Sequence, residues 1–168
     1  MYLVCGEALF DVFSLDEGAR SSQLELQAIA GGSPFNVAVG LRRLAADSAL
    51  FAGISTDFLG ERLRRVLHEE GVSGAYLVSS DAPTTLAMVA VDAQGVPQYS
   101  FRGEGCADRM LGLEHLPTLE ARVRGIHVGS YSLVVTPIAD TLFELVRREG
   151  DVFRAIAVGD HHLPRLGV

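Results

Sequence analysis

The chain has 168 residues, 48% of them hydrophobic, and a formal net charge of -7, enough for one ordinary domain with a sizeable buried core. Its 14 basic residues are all Arg, and the missing Lys excludes within this chain a Walker A loop, a protein-kinase strand Lys and a Schiff-base Lys. No basic cluster interrupts the acidic balance, so the displacement of counterions that nucleic-acid binding needs has no surface to work from.

The first residues lack a basic segment, and Glu7 and Asp11 come too early for a signal peptide. No apolar stretch approaches membrane length. Two isolated cysteines, Cys5 and Cys106, point to a reducing cytoplasm without a disulfide framework, with Cys5 a small buried hydrophobe. Residues 2–5 read as a short buried strand, and 8–13 continue extended around Asp11. Residues 16–22 are polar and loop-like. Gly31-Gly32-Ser33-Pro34 opens a helix, with Ser33 as its cap and Pro34 at the first helical position, running to about residue 46 with Phe35, Val39 and Leu44 apolar. A second strand follows at 48–54. Thr56 or Asp57 caps a helix over 58–70, with Leu59, Leu63, Val66 and Leu67 on one stripe and Gly71 as its stop. This alternation predicts βαβ units and a parallel sheet.

The pattern then changes. Residues 84–92 and 96–102 are β-rich runs joined by Ala93-Gln94-Gly95, a hairpin whose second strand carries Pro97 and so belongs at an edge. A hairpin inside a βα alternation reads as an excursion from the sheet, such as a lid. The alternation resumes with a strand at 125–131, a helix capped by Thr136 with Pro137 at its first position and ending at Gly150, and a strand at 154–158.

Few residues offer chemistry. Two glycines ahead of a helix, Gly31-Gly32, let a backbone approach a ligand with free N–H groups, and Asn36 in the first turn offers a donor and an acceptor. The plain alternative is a tight turn with Asn36 solvated. Asp11 after the first strand suits two sugar hydroxyls, or is a solvated strand end. Phe101 and Arg102 close an alternating strand and could pack on and hydrogen-bond a small polar ligand, or form a hairpin with a snorkelling Arg. Gly103-x-Gly105 lacks the third glycine and the context of a dinucleotide fingerprint. His161-His162 reads as exposed, and His127 as a satisfied buried histidine.

Taken in order, Asp11, then Gly31-Gly32-Ser33-Pro34-Phe35-Asn36-Val37-Ala38, then Gly53-Ile54-Ser55-Thr56-Asp57-Phe58-Leu59-Gly60, resemble the N-terminal half of ribokinase-like (PfkB) sugar kinases, most closely bacterial fructokinases. Residues 99–108 and Gly129-Ser130-Tyr131-Ser132 fit the same subgroup. The resemblance implies an α/β sandwich with a parallel sheet and a β-hairpin lid at about 84–102, and a sugar held between sheet and lid. It places Asp11, Gly32 and Asn36 on the sugar hydroxyls, Gly31 in the turn, and Phe101 and Arg102 on the lid side. It also implies phosphorylation of a sugar hydroxyl with Mg2+ and ATP, with a small-molecule sugar as partner. Charge and hydropathy set nucleic acid and membrane aside, and a sheet edge left open makes the lid hairpin a surface through which two copies could pair.

The resemblance covers residues 1–150. Ala45 and Ser55 stand where the wider family often has Gly, Ser55 fitting the fructokinase-like subgroup. The Asp-Thr-x-Gly-Ala-Gly-Asp motif that carries the family's base is absent, as is its Asn-x-x-Glu motif, and residues 151–168 read as an unmatched tail. The expectation is therefore a truncated, N-terminal sugar-binding part with the ATP and Mg2+ sites outside this chain. A non-catalytic module that binds sugar or pairs through its lid is the alternative. A Rossmann-like nucleotide binder ranks last because no glycine fingerprint follows the first strand.

Overall fold

The computed structural model describes residues 1–15, 22–91, 97–150 and 153–157. The Ala93-Gln94-Gly95 turn, the loop residues 16–21 and His161-His162 lie outside them.

The chain builds two sheets. Strand β1 (Tyr2–Cys5) is followed by β2 (Leu9–Ser14) and β3 (Leu26–Gly31), then helix α1 (Ser33–Arg43), β4 (Ser48–Ser55), α2 (Phe58–Glu69) and β5 (Leu77–Ser80). The hairpin β6 (Leu86–Val91) and β7 (Pro97–Arg102) comes next, then β8 (Gly125–Gly129), α3 (Ile138–Arg148) and β9 (Phe153–Ala157). A five-stranded sheet has the order β5-β4-β1-β8-β9, and its pairings are all parallel. The second sheet has the order β3-β2-β6-β7. The hairpin is thus half of the lid, completed by β2 and β3, with β7 at an edge as Pro97 predicts.

Burial explains which strands the sequence announces. All eight residues of β4 are buried, as a strand covered on both faces of a parallel sheet must be. One face of this sheet carries Leu3, Phe51 and Ile126 against Ile138, Leu142 and Leu145 of α3. The other carries Val4, Leu50 and Ile54 against Phe35 of α1, Leu63 of α2 and Phe10 of the lid sheet. By contrast β3 and β5, for which the sequence gives no expectation, are largely unburied: four of six β3 residues are exposed, and no β5 residue is fully buried.

Several helix ends differ from expectation. Gly32, not Ser33, is the cap of α1, with φ +104°, a backbone that L side chains rarely adopt. The helix stops at Arg43, where Leu44 is exposed rather than packed. In α3, Pro137 is the cap rather than the first helical residue, and the helix ends at Arg148. Strand β8 stops at Gly129 because Ser130 turns the chain with φ +64° into a short 3₁₀ segment, Ser130–Leu133. Asp57 caps α2 as expected, its Oδ1 accepting the Gly60 N–H at 2.7 Å. Cys5 and Cys106 are both free and buried, and burial pushes the Cys5 thiol far above its ordinary range. Among the described residues no helix is long and apolar enough to cross a membrane.

Candidate functional site

Register decides which residues share a side of the lid sheet. Ile29 of β3, Asp11 of β2, Ala87 of β6 and Phe101 of β7 form one cross-strand row. Residues paired across neighbouring strands point to the same face, so Asp11 and Phe101 look the same way. Ala30, Phe10, Leu86 and Arg102 form the next row, and the pleat sends that row to the opposite face. Arg102 is exposed there, its Nη1 donating to Ser100 Oγ at 3.2 Å, and at the β7 edge it lines a concavity with Thr84, Leu86, Phe101, Glu104 and Cys106. The strand therefore brings Phe101 to the side of Asp11 and turns Arg102 away from it.

The Asp11 carboxyl is half-buried, and burial raises it above its ordinary range. A Cβ on Gly31 would collide with its Oδ2, so the missing side chain at Gly31 is what gives the carboxylate its place. Gly32 is required twice: its φ is positive, and a Cβ there would sit 2.9 Å from the Glu7 carbonyl oxygen. The turn from β3 into α1 consequently passes directly over Glu7, at the end of β1. Asn36 is exposed in the first turn of α1, its N–H donating to the Gly32 carbonyl at 2.9 Å.

Beneath this turn lies a set of buried polar groups that sequence reasoning missed. Glu7 is 1% exposed and accepts the Ser132 hydroxyl. Burial pushes its carboxyl up, against the opposing pull of hydroxyls from Ser130 and Ser132. Asp108 is 2% exposed, accepts the Thr85 hydroxyl at 2.5 Å and the Tyr131 hydroxyl, and is likewise raised by burial. Tyr131 meets the edge of Phe101 with ring centroids 5.7 Å apart, so it stands on the Asp11 side of the lid sheet. Arg109 lies over the Tyr131 ring at 4.9 Å. Burial and the nearby carboxylates push the phenol far above its usual range. A sequence signal existed, since Asp108 and Tyr131 fall within the segments that carry the family resemblance, but nothing in their spacing marks them as partners.

These groups sit where the parallel strands β1 and β8 end, the edge at which open α/β sheets bind ligands. The arrangement offers a carboxylate, an aromatic ring and a glycine turn to a small polar molecule. It does not fit a divalent cation: among the described residues no group of three or more His, Cys, Asp or Glu could hold a metal, and both buried carboxyls are occupied by hydroxyl donors. His127 is half-buried on β8, and its Nε2 is buried without a hydrogen-bond partner among the described residues. It is therefore not the satisfied histidine expected from the sequence, and burial lowers its pKa.

Residues 1–146 match the family described as pfkB family carbohydrate kinase. A fructokinase of Rhizobium leguminosarum bv. trifolii is 35% identical over 149 residues, which is 89% of this chain and 45% of that protein. The crystal structure of fructokinase from Xylella fastidiosa superposes with a TM-score of 0.84 at 28% identity, covering 99% of this chain and 53% of that one. The same enzyme with bound ATP gives a TM-score of 0.82 at 29% identity, with 97% and 49% covered. The chain thus spans about half the length of the relatives it matches.

Proposed function

This chain belongs to the pfkB family of carbohydrate kinases, and from that premise we propose that it is the sugar-binding half of a fructokinase-like enzyme. Asp11, Gly31, Gly32, Asn36 and Phe101 are the residues we assign to the sugar. The observation that carries this reading is the placement of the Asp11 carboxylate beside the side-chain-free Gly31, in one strand row with Phe101. A carboxylate accepts hydrogen bonds from two vicinal hydroxyls, a glycine turn lets a ring approach the backbone, and an aromatic face covers its apolar side. Arg102 joins them only by reaching round the edge strand. The whole enzyme transfers a phosphoryl group from ATP with Mg2+ to a sugar hydroxyl; the base and the nucleotide and Mg2+ ligands are assigned to residues beyond those described. The free buried cysteines support a reducing, cytoplasmic setting.

A second reading, pairing of two copies through the lid, rests on exposed apolar side chains of the lid sheet: Ile29 at 48%, Leu26 at 47%, Tyr99 at 50% and Phe101 at 47%. Fructose titration of the 168-residue chain by NMR tests the first reading. Wild type is expected to show saturable shifts, and Asp11→Ala to weaken binding roughly ten- to a hundredfold, as loss of a charged hydrogen bond implies. Equal binding by both proteins refutes the assignment. Sedimentation of the same samples reads the pairing.

A further inference from the structure

Among the described residues the Asp108 side chain makes no hydrogen bond to a residue assigned to the sugar, yet its bonds to Thr85 and Tyr131 join three parts of the molecule. It sits in the short 3₁₀ segment Ala107–Arg109 that follows β7. Its Oδ1 accepts the hydroxyl of Thr85, the residue before β6, and its Oδ2 accepts the hydroxyl of Tyr131, just past β8. Both donors are hydroxyls directed at a buried carboxylate, and a carboxylate is the side chain that offers only acceptors.

Tyr131 is in turn fixed on three sides. Asp108 holds its hydroxyl, Arg109 lies over its ring at 4.9 Å, and Phe101 meets it edge-on at an interplanar angle of 64°. Phe101 belongs to the edge strand β7, so no further strand flanks it within the described lid sheet. Its contact with Tyr131 is the ring contact that ties it to the main body. Phe101 and Asp11 lie in the same strand row.

We propose that Asp108, acting through Tyr131, is the positioning residue that sets the Phe101 ring beside Asp11 and thereby shapes the sugar-binding face. The proposal rests on the reading of that face as a sugar site. Asp108 binds no sugar itself. It holds the phenol, the phenol holds the lid aromatic, and the second bond to Thr85 ties the same carboxylate to the start of the neighbouring lid strand. The rim of the site is thus fixed from a buried point outside it.

The test uses the full 168-residue chain and two readouts: nuclear Overhauser contacts between the Phe101 and Tyr131 rings, and the dissociation constant for fructose. Asp108→Asn keeps the shape but turns an NH2 toward a hydroxyl donor. Tyr131→Phe keeps the ring and removes its anchor. Both are expected to remain folded, to lose most of the Phe101 ring contact, and to weaken fructose binding about tenfold. Thr85→Val is expected to act in the same direction and Thr85→Ser to restore both readouts. If Asp108→Asn does not fold, Tyr131→Phe decides. Wild-type ring contacts and wild-type affinity in a folded variant overturn the proposal and leave Asp108 a packing residue. Absence of fructose binding by the wild-type chain refutes the sugar reading instead. The ring contacts, which need no sugar, then decide the positioning role by themselves: their loss upholds it and their persistence overturns it.

Discussion

The two sheets of this molecule divide its work. The middle of the parallel sheet is sealed: β4 is buried along its whole length, and Phe51 at its centre is fully inaccessible. The lid sheet is open, with β3 largely exposed and Phe101 47% exposed. Side chains of the first kind hold the fold, and those of the second include the ones proposed to meet a sugar. The same residue type has different consequences in each.

The widest separation is expected from two phenylalanines. Phe51→Ala empties a buried site and should cost about 3–5 kcal/mol in chemical denaturation. Phe101→Ala should cost under about 1 kcal/mol while weakening fructose binding several-fold. Equal losses of stability would erase the distinction between the sheets. Next comes the boundary between them. Gly32→Ala meets both a positive φ and the Glu7 carbonyl, and should lower stability by about 3 kcal/mol.

Asp57 ties the two regions together. It caps α2 and also accepts the N–H and the hydroxyl of Thr84, at 2.9 and 2.7 Å, at the base of the lid hairpin. Burial raises its carboxyl, but the hydrogen bonds from Gly60, Thr84 and Ser55 outweigh that and hold it below its ordinary range. Asp57→Ala should therefore cost about 1–2 kcal/mol, and hydrogen exchange should quicken at the hairpin base as well as in the first turn of α2. Protection lost in α2 alone would show that the lid does not depend on this tie.

The smallest effect is one of pH. The folded-state pKa of Glu7 is raised by burial, so its contribution to stability is fully present below the unfolded value of about 4 and is lost as pH rises through the folded value. His127 has the opposite sense: its pKa is lowered, so its contribution is present above about 6.5 and lost as pH falls through the folded value. Glu7→Gln should flatten the fall in melting temperature as pH rises above about 4, relative to wild type. Curves that stay parallel would mean that Glu7 does not titrate in that window.

How legible each part was follows from the same division. Strands β1, β4 and β8 and helix α2 could be read because burial writes apolar runs and stripes into them, and Asp57 with Gly71 punctuates α2 at both ends. Strand β3 could not, because an exposed lid strand mixes Gln27 with Ile29 and Ala30 and shows no clean alternation. The cap of α1 was misread because a glycine with positive φ leaves no side-chain signature, whereas Ser33 beside it does. Asp11, Gly31 and Phe101 could be picked out as an ordered set, but only register revealed that Arg102 faces the other way. The Asp108 and Tyr131 pair joins residues 23 apart, and such a tertiary bond has no local pattern.

The four lid strands all meet the main body along one edge, since Leu9 pairs with Gly31, and Phe10 with Leu86, which in turn faces Arg102. Four connections in a line resist twist and sideways slip like a door hinge, and Phe10 and Val12 of the lid pack beside that line into the core of the main body. With strands about 4.8 Å apart the hinge line is roughly 14 Å long. Asp11 lies two residues from it, and at about 3.3 Å per residue a swing of roughly 10° carries it only about 1 Å. Ser14, five residues out, travels nearly 3 Å in the same swing, by the same approximate rise. A swing about that line would therefore move Ser14 roughly two and a half times as far as Asp11, so the residues proposed to hold a sugar near the root would keep their aim.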